Sequence, residues 1–386
     1  MMNISYITHT DIPSKRANSL QSMKMCQALA QNGHDVLLIA RQGAKKNDFT
    51  NIASFYDLAT SFPTKLLTPY HPPLGNRMSN FVARYQFLWQ AAQAVKEQKP
   101  DVIFTRFLPI AAWATRQGIP TIWEAHAIDG NQTEQTLLRV MSVGKQSKRV
   151  VAITEALKRD LTDTYPKSFE QLEMIVAPDG VDLPAFSNLP SKTAARQKFG
   201  LPESEVVAGF VGQFYPGKGA DFILQIAETA PDICFLLVGG APKDQARLQQ
   251  IIRQKKLSNI QLRDFVPQED VPSYLRACDA LLLPLQPKVL ILGKKDIARW
   301  TSPLKMFEYM AAERPILATD MPILKEVLDE DNSLLCPVEP PAWANSLRQC
   351  RQNQALGQRL AAQAAQDVKQ YSWQNRAASC LVNFAV

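Results

Sequence analysis

Short apolar runs rich in β-branched residues alternate along this chain with stretches whose apolar residues recur every three or four positions. That alternation of period two and period 3.6 predicts parallel sheets flanked by helices. In the first half the strand candidates are Ile4–Thr8, Val36–Ala40, Val102–Thr105, Thr121–Glu124, Val150–Ile153 and Met174–Ala177. Leu20, Met23, Cys26 and Leu29 mark one face of a helix that stops at Asn32-Gly33. A Pro-rich stretch around Pro69 to Pro73 predicts a surface loop. From Leu183 to Lys192 the pattern lapses into Pro, Ser and Asn, as a linker would. It then restarts, with strands predicted at Val206–Val211, Cys234–Val238, Ile260–Leu262, Ala280–Leu285, Ile316–Thr319 and Leu334–Pro337. Helices are predicted between them, including Ala246–Lys255, Val271–Ala277 and Pro303–Ala312, and three helical segments close the chain, the last near Trp373 to Phe384. The pattern therefore predicts two doubly wound α/β domains in tandem, with ligands in a cleft outside the strand C-termini. The expected spans are 1–185, 186–368, and a C-terminal helix over 369–386 that packs back on the first domain.

Composition narrows the partners. With 386 residues, 46% hydrophobic and 20% charged, the chain is long enough for two or three globular cores. The net charge of +7 suits anionic partners: nucleotide phosphates, an acidic lipid surface or nucleic acid. No basic block is interleaved with aromatics, so nucleic acid is the weakest of these. Six scattered cysteines make no C-x-x-C pair and sit mostly in apolar runs, as buried thiols of a reducing compartment do. His9, His34, His71 and His126 have no metal-ligand spacing, and Asp329-Glu330-Asp331 resembles a solvated turn, so no metal site is expected. The N-terminus lacks signal-peptide regions, and no apolar stretch is long enough to span a bilayer; a cytoplasmic location is the expectation.

The densest chemical signal is Ser302-Pro303-Leu304-Lys305-Met306-Phe307-Glu308. Ser302 suits an N-cap and Pro303 the first helical position. Such a terminus attracts anions through free amides and the helix dipole. Lys305 adds a cation, and Glu308, one turn further in, can reach a sugar diol. A capped surface helix with a solvated Glu is the plain alternative. A second motif, Gly212-Gln213-Phe214-Tyr215-Pro216-Gly217-Lys218-Gly219, follows a predicted strand and precedes a helix. Glycines let amides approach an anion, and Lys218 supplies a mobile charge. Gly219 stands where a P-loop needs Ser or Thr, which argues against an NTPase. His126, in Trp123-Glu124-Ala125-His126-Ala127, ends a predicted strand and can meet a sugar hydroxyl or a leaving phosphate oxygen. Ser14, Arg16 and Asn18 lie in the loop after the first strand, the usual position of a ligand loop. Asn18 or Ser19 equally suits a helix cap. That loop lacks G-x-G-x-x-G, so no dinucleotide cofactor is indicated.

In order, these segments resemble the GT-B nucleotide-sugar glycosyltransferases, specifically the retaining family 4, glycosyl transferases group 1. The resemblance rests on RANSLQSMKMCQALAQNGHDVLLI, IWEAHAI, VVAITEALKRDL, APDGVD, GFVGQFYPGKGADFIL, FLLVGG, VPQEDVPSYLRACDALLLP, SPLKMFEYMAAERPILATD and YSWQNRA, and covers almost the entire chain. It implies a GT-B fold of two Rossmann-like domains. It also implies transfer of a hexosyl group from a nucleoside-diphosphate sugar to a hydroxyl acceptor, with retention and with no metal or other cofactor. By resemblance, Gly212, Gln213, Lys218, Ser302, Pro303, Leu304 and Lys305 hold the diphosphate and Glu308 the ribose. Arg263, Phe265 and Val266 line the base pocket, and His126 lies beside the transferred sugar. The acceptor-side loop carries Ser14, Arg16 and Asn18. Acceptors of this class include glycans, lipid-linked sugars and small molecules, and the aromatic-aliphatic run Phe107–Trp113 is compatible both with docking on the inner face of an anionic membrane and with a buried helix.

Two positions depart from the family. Trp300 replaces the first Glu of E-x7-E, and Gln213 replaces an Arg beside the phosphate-loop glycine, a loss Lys305 can offset. They leave open a non-catalytic nucleotide-sugar or lipid-binding protein on the same fold. Lys288 to Lys295 fits no family pattern and has the character of a lid.

Overall fold

The computed structural model describes residues 1–43, 51–70, 72, 75–291 and 295–385. The chain divides into two compact units, one formed by Met1–Asp179 with Trp373–Val386 and the other by Gly180–Ser372. The boundary thus falls ahead of the expected 185/186. Residues 183–192 lie inside the second unit: Leu183–Phe186 is a 3-10 turn, 187–191 are irregular, and a helix begins at Lys192 with Ser191 capping the Ala194 amide at 3.2 Å. The second unit continues past 368 to Ser372, because Val181 donates its amide to the Tyr371 carbonyl (2.9 Å) and bridges Ser372.

In the first unit, strands β1 (Asn3–Ile12), β2 (Asp35–Gln42), β3 (Thr64–Leu67), β4 (Val102–Thr105), β5 (Thr121–Ala125), β6 (Lys148–Ala152) and β7 (Glu173–Val176) form one sheet. Their order is β3-β2-β1-β4-β5-β6-β7, every pair parallel. The second unit has β8 (Val206–Gly212), β9 (Ile233–Gly239), β10 (Ile260–Arg263), β11 (Ala280–Leu283), β12 (Leu290–Ile291), β13 (Lys295–Asp296), β14 (Ile316–Thr319) and β15 (Leu334–Cys336). Six of these make a parallel sheet in the order β10-β9-β8-β11-β14-β15, while β12 and β13 pair antiparallel on their own. Both sheets are wound outward in two directions from a first strand, so each has a switch point: beyond the ends of β1 and β4, and of β8 and β11. Central strands such as β4 and β9 are buried at every position, because helices cover both faces of the sheet.

Each unit has its own core. Phe210, Phe214, Ile223, Phe235, Leu237, Leu282 and Trp343 anchor one in the second. In the first, Ile7, Ile39, Phe87, Ile103, Phe107 and Ile110 pack together. Phe107–Trp113 therefore belongs to a core helix, Leu108–Arg116, rather than to an outer surface. The helix Trp373–Leu381 returns to the first unit, where Arg149 Nη1 donates to the Cys380 carbonyl (2.9 Å) and Asn32 Nδ2 to that of Gln374 (2.9 Å). All six cysteines are free thiols, five of them buried. No helix among the described residues is long and apolar enough to cross a membrane. His71, Pro73 of the Pro-rich stretch and residues 292–294 of the stretch Lys288 to Lys295 lie outside the described residues.

Candidate diphosphate site and buried histidine network

In the second unit, the ends of β8 and β9 meet side by side, with Gly212 in register with Gly239. The Gly240 amide donates to the Gly212 carbonyl at 2.7 Å, closing the two strand ends together. Gly212 has φ 146°, and a Cβ there would overlap the Lys305 ammonium. Gly219, with φ 95°, has no space for a Cβ beside the Pro284 carbonyl. Glycine at these positions brings the loop against its neighbours and leaves room for a lysine over bare backbone. Lys305 Nζ lies 5.9 Å from the Phe210 ring centroid, and Lys218 Nζ lies 5.6 Å from that of Tyr215.

Both ammonium groups are half-buried. Burial, then repulsion from Lys305, lowers the pKa of Lys218 to about 8. Burial also lowers that of Lys305, while Glu308 partly offsets the effect. Two cations held close in a partly desolvated pocket are unfavourable until an anion arrives.

The helix that carries Lys305 runs Leu304–Ala311. Its N-cap is Pro303, not Ser302, and Pro303 has no side-chain group to cap with; Ser302 is buried one residue earlier. The expected Ser302 cap is thus displaced by one position, since Pro303 has extended backbone (ψ 119°) and cannot open the helix there. The terminus still carries the positive end of the helix dipole, and Lys305 lies in its first turn. One turn in, Glu308 accepts from Gln268 Nε2 at 3.1 Å. That bond ties Glu308 to the segment that follows Arg263, the last residue of β10, and holds Phe265 and Val266. The Arg263 carbonyl accepts from Gln245 Nε2 at 2.7 Å, and the same amide nitrogen donates to the Gly239 carbonyl. Phe265 is exposed and Val266 half-buried. Gln245 and Gln268 escaped the sequence reading because a single Gln on a helix or turn carries no spacing signal. Gln213 adjoins Gly212 and brings no charge, so the positive charge over that glycine belongs to Lys305. Trp300 is half-buried in a turn, its amide donating to Ile297 O at 3.0 Å.

In the first unit, His126 follows the end of β5, and its Nε2 lies 2.5 Å from Glu124 Oε1. Glu124 is buried, and four side chains converge on it. Gln21 Nε2 donates to its Oε1 at 2.7 Å, Arg376 Nη1 lies 2.9 Å from its Oε2, and Arg106 Nε lies 3.5 Å from Oε1. Burial alone would push the Glu124 carboxyl up, but Arg376, His126 and Arg106 together hold it well below the ordinary range. Burial and then the charge on Arg106, beyond what Glu124 returns, lower the pKa of His126 to about 4. At neutral pH the imidazole is therefore uncharged. An ionised carboxylate only accepts, so Nε2 carries the ring proton and Nδ1 is the ring's acceptor. Burial likewise pushes Asp179, beside Arg376, up to about 6. Glu124 and Arg376 stand inside the IWEAHAI and YSWQNRA segments, but nothing local pairs residues so far apart in sequence.

The loop after β1 divides. Asn18 belongs to this network, because its carbonyl accepts from Arg106 Nη1 at 2.9 Å, and the same nitrogen donates to Gln21 Oε1 at 2.7 Å. Ser14 is tied instead to Tyr56, whose hydroxyl accepts from the Ser14 amide at 2.7 Å. Arg16 is exposed and occupies the N-cap position of the helix Ala17–Gln31. Neither Asn18 nor Ser19 caps it: Asn18 Nδ2 donates to Thr10 Oγ1 (3.3 Å) and Ser19 Oγ to the Arg16 carbonyl (2.7 Å).

Two wound parallel-sheet units with a glycine and lysine loop after the first strand of the second define the GT-B class of fold. The model of Glycosyltransferase Family 4 matches residues 22–184, and that of Glycosyl transferases group 1 matches residues 205–353. The chain belongs to this family of group 1, family 4 glycosyltransferases. A D-inositol 3-phosphate glycosyltransferase of Kineococcus radiotolerans is 24% identical over 67% of this chain and 64% of its own length. The chain thus spans under two thirds of that relative. Sucrose-phosphate synthase from Thermosynechococcus elongatus superposes with a TM-score of 0.76 at 18% identity, covering 98% of this chain and 97% of the other. Anabaena HepE in complex with UDP-glucose superposes with a TM-score of 0.70 at 17% identity over the full length of both. These two likenesses concern the fold.

Proposed function

We propose that this protein is a retaining glycosyltransferase that moves a hexosyl group from a nucleoside-diphosphate sugar to a hydroxyl acceptor. The observation that carries this reading is the pair Lys218 and Lys305. Both are depressed in pKa, and one of them fills the space over Gly212 beside a helix terminus, with Glu308 a turn away. A diphosphate neutralises both lysines and gains the helix dipole, and Glu308 can then accept from the ribose hydroxyls. A fold neighbour, Anabaena HepE, was captured with UDP-glucose, which is in keeping with a sugar nucleotide as donor.

The main barrier in such a reaction is departure of the diphosphate, and preorganised charge at the leaving oxygens lowers it most. Lys218, Lys305 and the helix supply that charge with no cofactor in this reading. The anomeric carbon–oxygen bond breaks, the acceptor oxygen bonds to the same face, and the acceptor's proton passes to the departing phosphate oxygen. In the first unit, neutral His126, fixed by Glu124, has Nδ1 free to accept from a sugar hydroxyl. Acceptors that suit the family are a glycan, a lipid-linked sugar or a small polyol.

A second reading, a non-catalytic binder of nucleotide sugars, is favoured by Trp300 and Gln213 where the family has Glu and Arg. The two separate on product: incubation with labelled UDP-, GDP- and ADP-sugars and candidate acceptors yields a glycosylated acceptor only in the first. Lys218→Ala and Glu308→Ala each abolish most transfer with the fold intact, and near-normal turnover in either refutes the assignment.

A further inference from the structure

The helix Gly75–Gln98 of the first unit carries two apolar faces where a surface helix of a wound sheet needs one. Ala83 is buried, and Phe87, Ala91, Ala94 and Val95 share a core with Ile7, Ile103 and Phe107. On another side, Met78, Phe81, Tyr85 and Trp89 are each between 55% and 67% exposed. Their spacing of three, four and four residues keeps them within about 80° of one another around the axis, over a length of about 16 Å. The rings are assembled rather than scattered: Phe81 and Tyr85 stack at 6.4 Å. Tyr70, also exposed, is drawn to the same region by its amide, which donates to Gln86 Oε1 at 2.5 Å. Three aromatic rings and a thioether at that exposure amount to on the order of 500 Å² of apolar surface, near the top of the range for a monomer.

Charge decides what covers it. From Gly75 to Lys96 the sequence has Arg77, Arg84 and Lys96 and no carboxylate, in a chain of net charge +7. Arg84, about 60° from Phe81 around the helix, has its guanidinium over the Phe107 ring at 5.0 Å, which sets a cation along one edge of the aromatic stripe. The helix's one acid, Glu97, lies beyond the stripe and is paired with Lys65 at 2.9 Å, so a second copy of this face would bring arginine to arginine with no acid in the stripe to pair it. An aromatic stripe edged by cations fits the interface of an anionic bilayer, with rings at the acyl boundary and arginine among the phosphates.

We infer that the Met78–Trp89 face of this helix seats the first unit on an anionic lipid surface. The docking face is thus the outer side of the helix packed over Phe107, not the run Phe107–Trp113 itself. The inference stands apart from the transferase reading, because lipid binding needs no donor.

The test is co-sedimentation of the full chain with phosphatidylglycerol–phosphatidylcholine vesicles and with phosphatidylcholine alone, at low and high salt. The wild type pellets with the anionic vesicles and is released by salt. Phe81→Ser with Trp89→Ser lowers partitioning by about tenfold or more at an unchanged melting temperature, and Arg84→Gln lowers it by about fivefold. Adding anionic vesicles shifts tryptophan emission to the blue in the wild type, and the shift shrinks in Trp89→Phe, which keeps the apolar face. Equal pelleting of wild type and double variant, no pelleting with anionic lipid, or an unshifted Trp89 signal overturns the inference. So does a wild-type dimer in sedimentation equilibrium that the double variant abolishes. Loss of sugar transfer without loss of pelleting speaks only against the transferase reading.

Discussion

Lys218 offers a prediction with its own pH signature. Its pKa near 8, against an ordinary 10.5, means that holding the charge in the unliganded pocket costs about 3 kcal/mol. Burial and the neighbouring Lys305 are the causes, and a bound diphosphate reverses both. Below pH 8 the lysine is already charged, so donor affinity is flat. Above pH 8 the free pocket has lost a proton that the complex retains, so binding must take one up. Affinity then falls by about tenfold for each pH unit, and at pH 9 Kd is about tenfold weaker than at pH 7. The assay is titration calorimetry with whichever UDP-, GDP- or ADP-sugar raises the melting temperature most, since a bound ligand stabilises by mass action. Its diphosphate stays ionised across this range. Buffers of different ionisation enthalpy count the protons: nearly none at pH 7, approaching one at pH 9. Lys218→Arg keeps the charge at every pH and removes most of the slope. A Kd that is flat from pH 7 to 9 in the wild type, or as steep in Lys218→Arg, refutes the reasoning. The ligand-free protein carries the converse. The unfolded chain keeps this proton up to about 10.5 while the folded chain releases it near 8, so the contribution of Lys218 to stability rises with pH across that window.

Other outcomes follow from the same geometry. Gly212→Ala puts a Cβ where the Lys305 ammonium lies, at a φ of 146°; donor Kd rises at least about tenfold, measured by the same calorimetry. Glu308→Gln keeps the Gln268 contact but loses the charge-assisted acceptor, and nucleotide affinity drops by about tenfold while Tm stays put. Arg376→Met leaves Glu124 buried with less compensation, which costs about 3–5 kcal/mol in urea unfolding. Where the variant still folds, the His126 pKa followed by NMR moves up from about 4 as the repulsion from Arg376 is lost. In the wild type His126 is neutral from pH 5 upward, so its protonation contributes no limb to the transfer pH profile in that range.

Most of the architecture was legible because parallel strands buried on both faces spell themselves out as continuous apolar runs, as Val102–Thr105 and Ile316–Thr319 did to the residue. The strand Thr64–Leu67 escaped since it is a four-residue edge strand with half its positions exposed. Pro242 opened a helix four residues ahead of its first expected position, as prolines at N1 do, whereas Pro303 stayed outside its helix. Gly212, Lys218, Lys305 and Glu308 were visible as local motifs. Glu124 with Arg376, Gln268 with Glu308 and Gln245 with Arg263 were not, because each is a long-range pair in which one partner carries no pattern of its own. The exposed stripe on Gly75–Gln98 was hidden for a related reason. Two apolar faces on one helix blur the single periodicity that marks amphipathic segments.

The central claim is that the lysine-lined end of β8 holds the donor's diphosphate. A crystal structure with the preferred nucleoside diphosphate bound tests it most directly. The phosphates are predicted between the ammonium groups of Lys218 and Lys305, above Gly212, with the ribose hydroxyls on Glu308. A nucleotide seated elsewhere, with those two lysines turned away from it, contradicts the account.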